Sequence, residues 1–363
     1  MYSGKRRAAM MRSPKKIAVF QTAFLGDVVL TLPLIQVLKR NFPAAEIDVV
    51  VIPRGAEILE HHPSVSKVIR YDKRKTQKGI AGMFSLSREL RQGQYDTAIV
   101  PHRSFRSALI TWLANIPVRI SYSTSAGKIF FTHCVPYRTD KHEIERNLSL
   151  LAPLGISIYT KELPTVYPSI DDVNRVNKLL FEREVLNQNK MIAVAPGSVW
   201  NTKRWLLERF TELSVLLAED GWEIMIIGGN EDRELGRTIY EIGRHKNIHD
   251  LTGQLTLLQS AELIGRCSVL VSNDSAPLHL GVAMRTPVVA IFGATSPSFG
   301  FAPYGKDDII VETLGLQCRP CAIHGGDVCP IGTFDCMKKI EAQTVYEKVH
   351  SLLDVHRVKT KRN

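Results

Sequence analysis

Three short turns carry the side chains of this sequence whose types and spacing could do chemistry: Gln21 to Asp27, Pro196 to Arg204 and Asn273 to His279. The last lies within Ser268 to Gly293, SVLVSNDSAPLHLGVAMRTPVVAIFG, where the apolar Val269, Leu270 and Val271 stop abruptly at Ser272, Asn273, Asp274 and Ser275. A buried parallel strand ends in that way at a sheet edge. Ser275 then reads as an N-cap, Pro277 takes a first-turn place where its missing N–H costs nothing, and Leu278, Leu280, Val282 and Ala283 give the helix an apolar side. Such a helix points its positive end, past the small Ala276, at a crevice, which suits a phosphate or diphosphate. His279, one turn in, is in reach of the same anion. Asp274 and Ser275 would serve as well as plain helix caps.

In the second turn Pro196, Gly197 and Ser198 give a tight bend with a hydroxyl, and Lys203 and Arg204 put two cations at a helix entry. These residues fit phosphate, and they fit the solvated start of an amphipathic helix. Asp27 stands at the start of another helix, where the positive helix end is expected to lower its pKa. A lowered pKa opposes strong basicity, so capping and general-base catalysis both remain open. Arg103, Arg106 and His142, together with His102 and Arg119, lie near element ends of the first half; they read as forks for an acidic ligand or as a solvated basic face. Neither G-x-G-x-x-G nor G-x-x-x-x-G-K-[ST] occurs, which removes the main support for a redox dinucleotide or a P-loop, and without Asp-x-Asp or H-E-x-x-H the spacing does not suggest a catalytic divalent metal.

Four of the six cysteines, Cys318, Cys321, Cys329 and Cys336, crowd one segment as C-x2-C-x7-C-x6-C. The first pair has zinc-knuckle spacing and the second does not, so a structural zinc, a redox-labile cluster and ordinary thiols are all open.

The elements that must position these turns follow from hydrophobic periodicity. Short apolar runs alternate with helical patterns from Lys16 onward, the mark of parallel βαβ units. Strands are expected at Ile17–Phe20, Ile47–Ile52, Tyr95–Val100 and Val118–Tyr122, with helices from Gly26 to about Arg40, Ile80–Arg91, Ser104–Ala114 and His142–Leu151. A Pro-marked, acid-bearing stretch, Leu163 to Asp172, separates this series from a second one. There the strands fall at Ile192–Ala195, Glu223–Ile227 and near Ile248, and the helices at Trp205–Leu217, from Gly229 to about Gly243, and at Thr256–Arg266. A terminal helix, Tyr346–Val355, is expected to pack across the boundary. The fold class is therefore α/β, two Rossmann-like domains with parallel sheets facing across a cleft. The expected division is a basic extension at 1–15, a first domain at 16–170, a second at 171–340 containing the Cys-rich loop 318–336, and a helix with a basic tail at 341–363. Ligands of such folds bind where strand carboxyl ends and helix N-termini converge.

The net charge of +11 sits mostly at the ends: residues 1–16 hold six cations and no acid, residues 357–363 hold four more, and about one positive charge is left for the body. Basic tails on a near-neutral body suit an anionic membrane surface better than a nucleic-acid groove, and they also suit plain solvation. No apolar run approaches the roughly 18 residues of a membrane span, and no apolar segment follows the N-terminal cations, so the expectation is a cytoplasmic protein without structural disulfides.

The combination of FLGDVVLTLP, PGSVWNTKRW, SNDSAPLHL and PVVAIFG, over roughly residues 15–350, resembles the family 9 glycosyltransferases, the ADP-heptose:lipopolysaccharide heptosyltransferases, and most of all the members that add the second heptose. The resemblance implies a GT-B fold, with the acceptor recognised mainly by the N-terminal domain and ADP-L-glycero-β-D-manno-heptose by the C-terminal one. It implies inverting transfer to the inner core of lipopolysaccharide without a catalytic metal, at the cytoplasmic face of the inner membrane. Asp27 matches the general base, Lys203 the lysine on the nucleotide phosphates, and Asp274, Ser275, Ala276 and His279 the donor loop. Ser198 and Arg204 fall in the phosphate-side turn, and Leu255 falls where some members set a methionine against the adenine. Family members often have Thr-Gly or Ser-Gly at the place of Ser275 and Ala276, which here makes backbone approach to the diphosphate tighter. On this resemblance Arg103, Arg106 and His142 are expected to meet the carboxylates and phosphates of the core acceptor, with a solvated basic face as the alternative. Two rivals remain: a GT-B sugar-nucleotide epimerase or hydrolase, which would use the same anion sites without an acceptor, and a nucleic-acid-binding module resting on the clustered cysteines as a zinc site and on the basic charge.

Overall fold

Apolar runs bounded by turn residues fold into two parallel sheets on one plan. The computed structural model describes residues 13–185 and 187–360, without the side chains beyond 354, so the basic extension before residue 13 and the cations of the 357–363 tail lie outside the described residues. The first half runs β1 (Lys16–Gln21), α1 (Leu25–Asn41), β2 (Glu46–Val51), α2 (Pro53–Ala56), β3 (Lys67–Arg70), α3 (Gly79–Gln92), β4 (Thr97–Val100), α4 (Phe105–Leu113), β5 (Val118–Tyr122), β6 (His133–Val135) and α5 (Glu143–Ser149). The second runs α6 (Ile170–Glu182), β7 (Met191–Ala195), α7 (Leu207–Glu219), β8 (Glu223–Ile226), α8 (Arg233–Gly243), β9 (Ile248–Asp250), α9 (Leu257–Arg266), β10 (Val269–Asn273), α10 (Ala276–Ala283), β11 (Val288–Phe292), β12 (Ile309–Glu312), α11 (Asp335–Lys338) and α12 (Ala342–Thr360).

The sheet orders are β3-β2-β1-β4-β5-β6 and β12-β11-β10-β7-β8-β9. Counted from its own first strand, each reads 3-2-1-4-5-6, the Rossmann order, and the pairs are parallel, with Val19 opposite both Val49 and Ile99. The order reverses between β1 and β4 and between β7 and β10. The turns after these four strands therefore open at the two switch points, where no neighbouring crossover blocks a ligand.

Three edge strands escape the sequence pattern, β3, β6 and β12; they are short and only part-buried, so no continuous apolar run announces them. The Leu163–Asp172 stretch is partly helical: Ser169 caps α6 and Asp172 reaches back to the Ser169 N–H, so its acids open a helix. Ahead of that cap, the Leu163 carbonyl and Thr165 N–H both bond to Gln36 of α1. The terminal helix does not spend its described apolar side chains across the boundary. Val345, Val349, Leu352 and Leu353 of α12 join the core on the outer face of the second sheet.

What joins the two units is α1 against α10. Val28, Val29, Leu30, Leu32, Leu34, Ile35, Val37 and Leu38 leave α1 apolar on nearly every side, and α10 is buried from Leu278 to Ala283. Helices of that kind belong between layers, and one core cluster runs through both units. Gly26 makes the approach feasible, since a Cβ there would come 2.9 Å from Cδ2 of His279. Among the described residues no helix is long and apolar enough to cross a membrane.

Candidate active site

Because α1 and α10 pack side by side, their N-termini open together onto a cavity of about 640 Å³ between the sheets. Asp27, Ser198, Lys203, Asp274, Ser275, Ala276 and His279 all line it. The three turns of the sequence thus meet in one place.

On the second unit, Asn273 locks the turns after β7 and β10 together: its Oδ1 accepts the Trp205 N–H at 2.9 Å and its Nδ2 donates to the Pro196 carbonyl at 2.8 Å. A short 3₁₀ turn, Asn201–Lys203, then aims Lys203 inward, with Nζ 2.6 Å from Oδ2 of Asp274, an oxygen that also accepts the Thr295 hydroxyl at 2.7 Å. Asp274 is therefore a holder of Lys203 before it is a ligand contact. An ammonium has three donors, so it can serve Asp274 and a phosphate at once. Ser275 occupies the N-cap position of α10, but its hydroxyl donates to the Gly197 carbonyl at 3.2 Å and no side chain caps the helix. The helix start thus stays open toward the cavity, which strengthens the anion site. His279 is buried, and burial with Lys203 and His142 nearby holds its imidazole down to about 3. It faces the cavity neutral, able to exchange one hydrogen bond but carrying no charge for an anion.

Asp27 reverses its sequence expectation. Its carboxylate caps α1 by accepting the Phe24 N–H at 3.1 Å, yet its pKa is pushed up to about 7. Burial is the largest cause and the Glu143 carboxylate the next; the Phe24 and Asp27 amides and Lys203 pull the other way without winning. Glu143 is itself buried against Arg146 at 2.9 Å and the Tyr137 hydroxyl at 3.1 Å. Asp27 is in this way a carboxylate poised near neutrality, the condition for a general base.

The first unit adds cations that sequence reading missed. Lys73, Arg74 and Lys75 follow β3 and line the cavity, and Asp72 shapes their turn by accepting the amides of Arg74 and Lys75. Lys73 donates to the Thr22 carbonyl at 2.7 Å, and its pKa is lowered by burial and by Arg74 and Arg106. His102 bonds the Thr22 hydroxyl at 2.9 Å and, mostly through burial, is held down to about 4. The only sequence signal is Asp-Lys-Arg-Lys itself, because β3 ahead of it is a short edge strand with one buried residue. Arg54, after β2, also lines the cavity and pairs with Glu231 of the second unit.

Other expected residues stand elsewhere. Arg103 lies over the Tyr137 ring, 4.2 Å from its centroid, and Arg106 is part-exposed near Lys73. His142 caps α5 by accepting the Ile144 N–H, bonds the Ala302 carbonyl at 2.9 Å and stacks on Tyr304. None of the three lines the cavity. Arg119 spends its guanidinium on the carbonyls of Phe130 and Ile116. Arg204 braces the Ser198 carbonyl at 2.7 Å, and Leu255 packs on the shared core outside the cavity lining.

The Cys-rich loop closes the remaining side. Thr202 and Gly326 exchange backbone and hydroxyl bonds at 2.9 and 2.8 Å, and the Cys321 N–H donates to the Ala294 carbonyl, which sets Ile323 and His324 in the cavity wall. Gly325 has φ +84°, and a Cβ there would stand 2.9 Å from Cγ of Lys203. All four clustered thiols are free, and among the described residues no three or more His, Cys, Asp or Glu side chains group to hold a metal. The units are already tied on both flanks of the cavity, by Glu57 accepting the Leu258 N–H on one side and Arg146 donating to the Phe299 carbonyl on the other.

The profile of Glycosyltransferase family 9 (heptosyltransferase) matches residues 83–326. Lipopolysaccharide heptosyltransferase 2 of Salmonella typhimurium is 28% identical over 351 residues, covering 93% of this chain and 98% of that one. A family 9 glycosyl transferase from Veillonella parvula is similar in structure, with a TM-score of 0.82, 25% identity and coverage of 93% and 97%. ADP-heptose LPS heptosyltransferase II of Escherichia coli superposes with a TM-score of 0.77 at 24% identity, covering 94% and 99%.

Proposed function

The chain belongs to glycosyltransferase family 9, with the two-sheet GT-B fold of that family, and from this premise we propose that it moves heptose from ADP-L-glycero-β-D-manno-heptose to the inner core of lipopolysaccharide, as the second heptose. The observation that carries the proposal is the shared cavity. A carboxylate raised to about 7 on one unit faces a lysine and an open helix N-terminus on the other.

In the reaction the acceptor hydroxyl gives its proton to Asp27 while its oxygen bonds to the anomeric carbon. The carbon–oxygen bond to ADP breaks on the opposite face, so the configuration inverts, and the electron pair leaves on the diphosphate. Lys203, the α10 N-terminus and Ser198 receive that charge, the task a divalent cation performs elsewhere. Lys73, Arg74 and Lys75 are the cations for a phosphorylated or carboxylated acceptor. The residue ranges 16–170 and 171–340 are assigned to acceptor and donor on this reading, and the site lies at the cytoplasmic face of a membrane that holds the acceptor. Neither the epimerase or hydrolase nor the nucleic-acid module is favoured. A structural zinc at Cys318, Cys321, Cys329 and Cys336 would require these thiols to draw together, and zinc content near zero in purified protein removes it.

The test is ADP release from ADP-heptose with and without heptose-deficient core lipopolysaccharide, in EDTA. Acceptor-dependent release is expected. Release that ignores the acceptor, or none with any core acceptor, overturns the assignment.

A further inference from the structure

Five large apolar side chains that stand exposed, Ile80, Phe84, Phe105, Trp112 and Ile129, fall within one stretch of the first unit, with exposures from 49% for Trp112 to 80% for Ile129. Ile80 and Phe84 lie one turn apart on α3 and stand exposed, while Leu86 and Leu90 of the same helix are buried. α3 packs along α4, and the 3₁₀ turn Lys128–Phe130 rests on α4 in turn. The Phe130 ring joins the pieces, 5.7 Å from Phe105 and 5.4 Å from Trp112. Phe105, Trp112 and Phe130 thus form one aromatic cluster with Ile129 beside it in sequence, and the adjoining helix α3 adds exposed Ile80 and Phe84.

Its surroundings are basic. Residues 73–130 hold ten Lys and Arg against two Asp and Glu, so the near-neutral charge of the body conceals a basic segment set against a net acidic remainder. Arg74, Lys75, Lys78, Arg88 and Lys128 are exposed around the apolar side chains. Protein–protein interfaces are depleted in lysine, whereas aromatic side chains ringed by Lys and Arg suit a bilayer whose headgroups are anionic. The face also continues from the cavity: the chain leaves the lining at Lys75 and reaches Ile80 five residues on, and Phe105 opens α4 three residues after cavity-lining His102.

We propose that the exposed face of α3, α4 and the 128–130 turn docks the protein on an anionic lipid surface, bringing the Lys73–Lys75 side of the cleft to the membrane. The purpose of this docking rests on the lipid-anchored acceptor assigned above; the docking itself does not. Phe and Trp enter the headgroup boundary while Lys78, Arg88 and Lys128 meet the phosphates, so the basic tails are not the sole attachment.

The experiment is sedimentation of the full chain with vesicles of phosphatidylethanolamine and phosphatidylglycerol, and with phosphatidylcholine vesicles, without donor or acceptor. Binding to the anionic vesicles that falls with salt is expected, and Ile80→Ser, Phe84→Ser and Ile129→Ser combined should weaken it about tenfold or more. The charge variant Lys78→Glu, Arg88→Glu, Lys128→Glu should do the same, with thermal melts and turnover on a delipidated acceptor unchanged in both. Vesicle binding unaltered in the two variants would place attachment in the tails and overturn the proposal. So would a change of oligomeric mass with vesicle binding intact, which would make the face a contact between copies. Loss of transfer in the parent protein with vesicle binding intact would refute the transferase reading and leave the docking face standing.

Discussion

Replacing Asp27 by Asn separates catalysis from stability in a way the structure lets one work out. Burial and Glu143 raise the Asp27 pKa from the ordinary 3.8 to about 7. The folded chain then holds a proton that the unfolded chain has already released between those values, so stability falls as pH rises across that window and the full cost is present above about 7. A rise of about three pH units corresponds to at most ~4 kcal/mol, and because the carboxylate keeps access to cleft water the measurable cost is on the order of 2 kcal/mol. Asn keeps a carbonyl oxygen to accept the Phe24 N–H and carries no charge. Asp27→Asn should therefore melt a few degrees higher than the parent at pH 8, with the advantage shrinking toward pH 4, while acceptor-dependent ADP release falls by about 100- to 10,000-fold. In the parent, kcat/KM should climb with pH and level off near 7. Parallel melts and initial rates from pH 5 to 8.5 read all three effects. An activity limb near pH 4, or an Asn variant that keeps near-normal turnover, would refute the reasoning that burial makes Asp27 the base.

Lys203→Ala should cost about 100- to 1,000-fold in kcat/KM for ADP-heptose. Asp274→Asn, which frees the ammonium from its holder, should show a smaller loss; equal binding of ADP to parent and Lys203→Ala by calorimetry would count against the diphosphate role. Combining Lys73→Ala with Lys75→Ala should raise the acceptor KM about tenfold and leave the donor KM unchanged, and a change in the donor KM instead would move these cations to the nucleotide side. Gly325→Ala meets both a left-handed backbone and the Lys203 side chain, so the expected result is a lower melting temperature together with a raised donor KM. A normal donor KM would mean that the Cys-rich loop does not govern Lys203.

Much of the site was readable because the switch-point strands are buried on both faces, and buried parallel strands write continuous apolar runs whose ends mark ligand positions. Asp27, Lys203, Asp274 and His279 each lie just past such a run or one turn into the following helix. Lys73, Arg74 and Lys75 carry no such mark, because the preceding β3 is an edge strand with one buried residue in four. The near-neutral charge of the body is a sum, and a sum hides the basic segment at residues 73–130.

The amino-acid sequence by itself determined the strands that carry the turns, the helix starts that follow them and the chemical types waiting at each. Those properties are local, set by periodicity, capping and turn residues. Only the tertiary structure decided what each group became. The packing of α1 against α5 and α10 buried Asp27 near Glu143 and reversed the direction of its pKa, while the pairing of β7 with β10 set the Ser275 hydroxyl against the Gly197 carbonyl and left a helix end open. The same strand pairing brought Lys203 to Asp274, 71 positions later in the chain, and the contact between the units drew His142 away to the Ala302 carbonyl. Desolvation and partner choice depend on which distant elements meet, and no window along the chain contains that information.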